Sequence, residues 1–210
     1  MKINYSEFFT NKDDIALCKA VESDNFNAVR KCILNGANVN AVGKDEIRMI
    51  FVAAICNSFD AFNALIENGA DINFQTSGGD SVIYAVSGYE SPKFLQAAIA
   101  GGANVNIVNS KTKQTPIFRA IFVQNLTNME ILLKAKADSN HQDVNDRTPM
   151  MQAAVFNFWP GILLLHKYGA DVNKKDKYGD TLKRYYDRSF CSEGLPQWTA
   201  KKQFGEILKW

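Results

Sequence analysis

Apolar residues recur along the chain at helical spacing, in short runs that each end in a polar, glycine-centred hexamer. Phe59, Phe62, Leu65 and Ile66 precede Asn68-Gly69-Ala70-Asp71-Ile72-Asn73, and Phe94, Leu95, Ala98 and Ile99 precede Gly101-Gly102-Ala103-Asn104-Val105-Asn106. The hexamer also occurs as Asn35-Gly36-Ala37-Asn38-Val39-Asn40 and as Tyr168-Gly169-Ala170-Asp171-Val172-Asn173, with a degraded copy, Ala135-Lys136-Ala137-Asp138-Ser139-Asn140. Its closing asparagines are 33, 33, 34 and 33 residues apart. A fixed period of that size signals stacked supersecondary units rather than one closed core.

Each glycine falls where a helix needs a left-handed residue to satisfy its last carbonyls. Ahead of each outer helix the pattern predicts a second, shorter one, seen in Thr115-Pro116-Ile117-Phe118-Arg119-Ala120-Ile121 and Thr148-Pro149-Met150-Met151-Gln152-Ala153-Ala154. There Thr suits the N-cap, and Pro suits the first helical position, where its missing N–H does no harm. Paired alanines let neighbouring helices approach closely. Ser91-Pro92 and a Thr127-x-x-Glu130 capping box predict the starts of two outer helices. Every repeat therefore reads as a turn plus two antiparallel helices.

On these residues the chain resembles the ankyrin repeat family, whose units open on Thr-Pro-Leu-His-x-Ala-Ala and close on Leu-Leu-x-x-Gly-Ala-Asp-Val-Asn. The likeness covers roughly residues 13–187. The opening is weaker, reading Arg48-Met49-Ile50-Phe51 and Ser81-Val82-Ile83-Tyr84 in repeats two and three. The family's histidine is missing throughout, Lys136 replaces one closing glycine, and Glu46, Lys113 and Asp146 replace the glycine of the turn, which Gly79 and Gly179 keep. The resemblance implies an all-α ankyrin-repeat solenoid of about six helix-turn-helix units with N- and C-terminal capping helices. Residues 1–12 form a leader whose Phe8 and Phe9 cover the first repeat. Repeats follow at about 13–40, 41–73, 74–106, 107–140, 141–173 and from 174–187 onward, the extra residue of the fourth falling in its turn, Ile107–Gln114. Residues 188–210 form a C-terminal capping helix, starting near Gln197 with Trp198, Phe204, Ile207 and Leu208 turned inward.

Charge changes the picture little. A net charge of +2 argues against nucleic acid or an anionic membrane as the main partner. Acid is in excess up to residue 70 and base after 140, so Lys174, Lys175, Lys177, Lys183 and Arg184 make either a basic patch or a solvated end-face. Cys18, Cys32 and Cys56 sit at helical positions and, with Cys191, form no C-x-x-C, which suits reduced thiols in a cytoplasmic protein. The start lacks a signal-peptide core, and no apolar run reaches membrane-spanning length. Asn4-Tyr5-Ser6 and Asn125-Leu126-Thr127 are sequons without meaning unless the chain is secreted.

Chemistry is not suggested. Asp71, Asp138 and Asp171 occupy one equivalent place in successive repeats, and His141 and His166 lie in different repeats without ligand partners. The expectation is a non-enzymatic protein without metal or cofactor, monomeric when free. The resemblance implies binding through turn tips and the concave face of the inner helices. The tips are Lys44, Asp45 and Ile47; Ser77, Gly78 and Asp80; Lys111, Thr112 and Gln114; Val144, Asn145 and Arg147; Lys177, Tyr178 and Asp180. The concave positions after the alanine pair read Ile55-Cys56, Gly88-Tyr89, Phe122-Val123 and Val155-Phe156, slots that are normally polar in the family. With Phe51, Tyr84, Phe118 and Met151 from the fourth place of the opening, they make an apolar stripe. That stripe is either packed between repeats or left open for a protein partner. Some compact ankyrin proteins of bacteria are immunity proteins beside toxins, so a toxin-neutralising antagonist is the sharper expectation. The rivals are an adaptor acting in a host cell and a small-molecule or nucleic-acid binder using the basic C-terminal turns.

Overall fold

The computed structural model describes residues 8–189 and 193–210. Cys191, the sequon at Asn4 and the first seven residues of the leader lie outside them. The described chain is helical, and only two isolated antiparallel bridges, Val42 to Arg48 and Gln75 to Ser81, interrupt the helix-and-turn pattern. It divides into two compact bodies. One runs to Val86 and includes Lys93–Asn104; the other comprises Ser87–Pro92 and Val105–Trp210.

The N-terminal body contains α1 (Lys12–Glu22), α2 (Phe26–Leu34), α3 (Met49–Ile55), α4 (Phe59–Glu67), α5 (Val82–Val86) and α6 (Lys93–Ala100). Successive helices pair within each repeat. Inner helices α1, α3 and α5 stack in one layer and outer helices α2, α4 and α6 in another. The alanine pair at the stack explains the close approach: Ala53 and Ala54 are buried, as are Ala61 and Ala64 opposite them on α4. Rings fill the outer layer, with Phe94 edge-on to both Phe62 (5.1 Å) and Phe59 (5.2 Å). Phe9 is buried over the first turn, its ring against Gly43, and the Phe8 carbonyl accepts from the Lys44 N–H at 2.9 Å.

The C-terminal body contains α7 (Pro116–Phe122), α8 (Leu126–Lys134), α9 (Pro149–Val155), α10 (Trp159–Lys167), α11 (Leu182–Arg188) and α12 (Pro196–Leu208). Helices α7, α9 and α11 form its inner layer, and α8, α10 and α12 its outer layer. Thr115 and Thr148 are N-caps with Pro at the next position, and the Thr148 hydroxyl accepts from the Met151 N–H at 3.3 Å. The extra residue of the fourth repeat lies in its turn. There the Asn109 N–H bonds to the Gln114 carbonyl, five residues on, whereas the next turn closes over four, from Asp143 to Arg147.

Two local expectations fail. Thr127 does not cap α8; Asn125 does, its side-chain oxygen accepting from the Asn128 N–H at 3.0 Å, so the helix starts two residues earlier. On α12, Phe204 is fully buried but Ile207 is about half exposed, the buried residues of that helix being Ala200, Phe204 and Gly205. Trp210 lies edge-on to Tyr186 (5.3 Å) and Phe204 (5.6 Å).

Every hexamer closes its helix in one manner. Gly36, Gly69, Gly102 and Gly169 all have positive φ, and Lys136 takes the same conformation at φ 70. The alanine after each, from Ala37 to Ala170, donates back to the carbonyl five residues earlier, completing a Schellman cap. Glu46, Lys113 and Asp146 likewise hold positive φ where Gly79 and Gly179 do so without a side chain. A Cβ in the left-handed region is strained. Lys136→Gly is therefore expected to stabilise the protein by roughly 0.5–1 kcal/mol. Thermal unfolding of the two proteins checks this, and an unchanged or lower midpoint would contradict the cap geometry.

Candidate interaction surface

The turn tips are held by the backbone and by asparagine and aspartate side chains, which leaves few side chains free there. In the C-terminal body the Asp143 carboxylate is buried and accepts from the N–H groups of Asn145 (2.8 Å) and Arg147 (3.0 Å). It also accepts two bonds from the Arg147 guanidinium, at 2.9 and 3.3 Å, so Arg147 serves its own turn first. Neighbouring tips are tied directly: Val144 N–H to the Thr112 carbonyl (2.9 Å) and Lys177 N–H to the Asn145 carbonyl (3.1 Å). The Gln142 amide adds a bond to the Lys175 carbonyl at 2.9 Å. In the N-terminal body the Glu46 carboxylate accepts from the Ser77 N–H, which lowers its pKa. Lys44 and Asp80 are exposed at their tips, and Gln114 is half-buried. Tyr178 stands out furthest, 77% exposed with the Lys177 ammonium 5.0 Å from its ring.

The apolar stripe resolves into two kinds of residue. Phe118 and Met151 are buried and cannot meet a partner. Both sit in the first turn of their inner helices, α7 and α9, at the fourth place of the opening. Phe51 and Tyr84 in the N-terminal body are half-buried. The residues at the inner-helix ends behave differently. Ile55 is 66% exposed, Phe122 58%, Val155 46% and Val123 38%. Tyr89 and Phe156 are half-buried. In the C-terminal body Phe122 and Phe156 meet edge to face at 5.5 Å, forming an open aromatic step.

Reading the chain alone missed what surrounds that step. The Arg119 guanidinium lies 5.3 Å from the Phe122 ring, and a Cβ on Gly88 would come within 2.6 Å of its Nε, so this glycine makes room for the arginine. The segment Ser87–Pro92 is fastened to the same body by two asparagines. Asn128, fully buried, donates to the carbonyls of Ser87 (3.1 Å) and Tyr89 (2.8 Å), and Asn125 to that of Tyr89 (3.0 Å). Asn125 at the N-cap of α8 and Asn128 three residues on are the only sequence trace of this clamp among the described residues of that helix start.

Beside Val155 lies an open cavity of about 390 Å³, lined by Ala154, Asn157, Tyr178, Arg184, Arg188 and, at its base, Asp176. Asp176 is buried, which by itself would raise its carboxyl. The Tyr185 hydroxyl at 2.7 Å and the N–H groups of Tyr178 and Asp180, both at 2.9 Å, outweigh burial and hold it below the ordinary carboxylate range. Burial and the same contact push the Tyr185 hydroxyl well above its usual value. In the N-terminal body a wholly apolar cavity of about 150 Å³ is lined by Phe8, Phe9, Cys18, Ile47, Val52, Ile55 and Cys56. Burial there raises the Cys18 thiol to about 12, so it is protonated and unreactive at neutral pH. Among the described residues no cluster of three or more His, Cys, Asp or Glu could hold a metal, and no helix is long and apolar enough to cross a membrane.

Pairs of antiparallel helices stacked at a fixed period, closed by left-handed caps, define a helix-turn-helix repeat protein. A family model for ankyrin repeats in three copies matches residues 82–176. The fold is similar to that of an ankyrin repeat domain from Acinetobacter baumannii, with a TM-score of 0.79 at 21% identity over 92% of this chain and 97% of that one. No curated protein matches the sequence. Residues 82–176 thus match ankyrin repeats, and the chain has the fold of an ankyrin repeat domain.

Two predictions separate core from surface. Phe118→Ala is expected to cost about 3–5 kcal/mol and Phe122→Ala less than about 1 kcal/mol in urea unfolding; equal costs would mean that the ring step is not open. Asp176→Asn should destabilise the protein at neutral pH. Because the folded carboxyl lies below its ordinary value of 3.8, its contribution is complete above that pH and is lost as pH falls through the folded value. The gap between wild type and variant should therefore close on acidification, and a gap independent of pH would contradict the assignment.

Proposed function

We propose that this chain binds one protein partner through the exposed ends of its inner helices, with the Phe122–Phe156 step as the anchor. Ankyrin repeats are generally protein-interaction modules. The observation that carries the reading is that the Phe122 ring, 58% exposed, stands edge to face with Phe156, with Val123 and Val155 exposed at the same inner-helix ends, while the Trp159 and Phe118 rings of the same body are buried. Exposed aromatic rings at the centre of a surface are the usual energetic anchors of protein interfaces. The aspartates at the hexamer positions share one local contact, Asp71, Asp138 and Asp171 each accepting from an N–H two residues on. In its sharper form the reading makes the chain a neutralising antagonist of a toxin in the cytoplasm, where the thiols of Cys18, Cys32 and Cys56 stay free; that form rests on the sequence resemblance.

The test is capture of the product of a neighbouring gene by the wild-type chain and by Phe122→Asp/Phe156→Asp. The double variant should keep its helical circular dichroism and lose at least about tenfold in affinity. Retained binding by a folded variant would refute the role of this face, and unfolding of the variant would show the step to be core.

A further inference from the structure

We infer that Asn35 is a site of spontaneous modification, where the side chain loses ammonia and the backbone passes through a cyclic imide with Gly36 to aspartate and isoaspartate. This chemistry goes beyond the binding role and does not depend on it.

The chain holds two Asn-Gly pairs, Asn35-Gly36 and Asn68-Gly69. In either pair the glycine backbone nitrogen can attack Cγ of the asparagine side chain. The new N–C bond closes a five-membered imide as the Cγ–Nδ2 bond breaks and ammonia leaves. Water then opens the ring at one of its two carbonyls, giving aspartate or its isomer with the extra methylene in the backbone. Glycine permits the attack because no Cβ crowds the nucleophilic nitrogen. By sequence the two pairs are alike.

The fold holds them differently. They end the outer helices α2 and α4, and both glycine nitrogens are engaged, Gly36 donating to the Ile33 carbonyl at 3.0 Å and Gly69 to the Ile66 carbonyl at 3.1 Å. In either pair the last turn must therefore open before the ring can close. At Asn68 two further contacts must break. Asn68 Nδ2 donates to the Ala64 carbonyl at 2.7 Å, which ties down the reacting amide itself, and Asn40 Nδ2 donates to the Gly69 carbonyl at 2.9 Å.

Among the described residues neither contact has a counterpart at Asn35. Its side chain is exposed and makes no hydrogen bond. The place that Asn40 takes toward the second hexamer is taken toward the first by Asp14, whose carboxylate accepts from the Asn38 N–H at 3.0 Å. An ionised carboxylate has no N–H to give, so the Gly36 carbonyl goes without the second bond. Gly36 also sits at φ 106, apart from Gly69, Gly102 and Gly169 at 85, 86 and 80. The product places a carboxylate at the C-cap of α2, where the helix dipole disfavours negative charge.

The test is ageing of the full chain at mildly alkaline pH, with peptide mapping by mass spectrometry at intervals and a parallel series in guanidinium chloride. In the folded protein Asn35 should convert about tenfold faster than Asn68, which must break two more hydrogen bonds. In guanidinium chloride the two should convert at similar rates. Peptides from Asn35 should contain isoaspartate as well as aspartate. Equal rates in the folded chain, or faster conversion of Asn68, would overturn the assignment. So would aspartate without isoaspartate, which marks direct hydrolysis, or an Asn35 that stays intact while the unfolded chain converts. Asn40→Ala should bring Asn68 closer to Asn35, and an unchanged Asn68 in a folded variant would overturn the protection assigned to Asn40. Where that variant does not fold, the two sites within the wild-type chain still decide the matter.

Discussion

One side chain, repeated, holds successive repeats in register. In three hexamers the closing asparagine reaches the next hexamer with both ends of its amide, and in a fourth Asn140 accepts from the Asp171 N–H at 2.7 Å. Asn40 accepts from the Asp71 N–H at 2.7 Å and donates to the Gly69 carbonyl at 2.9 Å. Asn73 does the same to Asn104 and Gly102, and Asn106 to Asp138 and Lys136. The carbonyl it reaches belongs to the left-handed residue of the Schellman cap, so the bond exists only where that residue has positive φ. Cap and ladder are thus one device. Backbone groups orphaned at a helix end are satisfied partly within the repeat and partly by the neighbour.

That dependence explains why substitutions of glycine are tolerated here. Lys136 occupies a strained conformation, yet its carbonyl is still placed to accept from Asn106. The ladder over-determines the backbone, and local strain persists because the surroundings leave no alternative. The same holds at the turns, where Lys113 and Asp146 keep positive φ while the Asn109 and Asp143 side chains bind the N–H groups around them.

With register fixed by polar contacts, the inner helices are free to differ in what they present. In each body the side facing the adjacent repeat is filled, by Met49, Ile50 and Ile83 in one and by Phe118 and Met151 in the other. The last turn of each inner helix projects past that packing. Ile55, Phe122 and Val155 stand at equivalent places, and all three remain exposed. Variation at those positions changes the surface without disturbing the stack, which is the physical basis for a scaffold that recognises a partner.

Much of this was legible in the amino-acid order. The period, the left-handed positions at Gly36, Gly69, Gly102, Lys136 and Gly169, and the N-caps at Thr115 and Thr148 follow from local rules, because each depends on residues within one turn of helix. The side of the inner helix on which Phe118 and Met151 lie was not legible, nor was the partner of Arg147. Fourth-place residues and helix-end residues are alike in composition, and only packing against the next repeat separates them. The clamp of Asn125 and Asn128 on the Ser87 and Tyr89 carbonyls joins residues 36 or more positions apart, and the Arg184–Asp180–Arg188 arrangement depends on where α11 meets its turn. Short-range chemistry set the repeats; contacts between groups distant along the chain decided which of their apolar and charged side chains stayed in water.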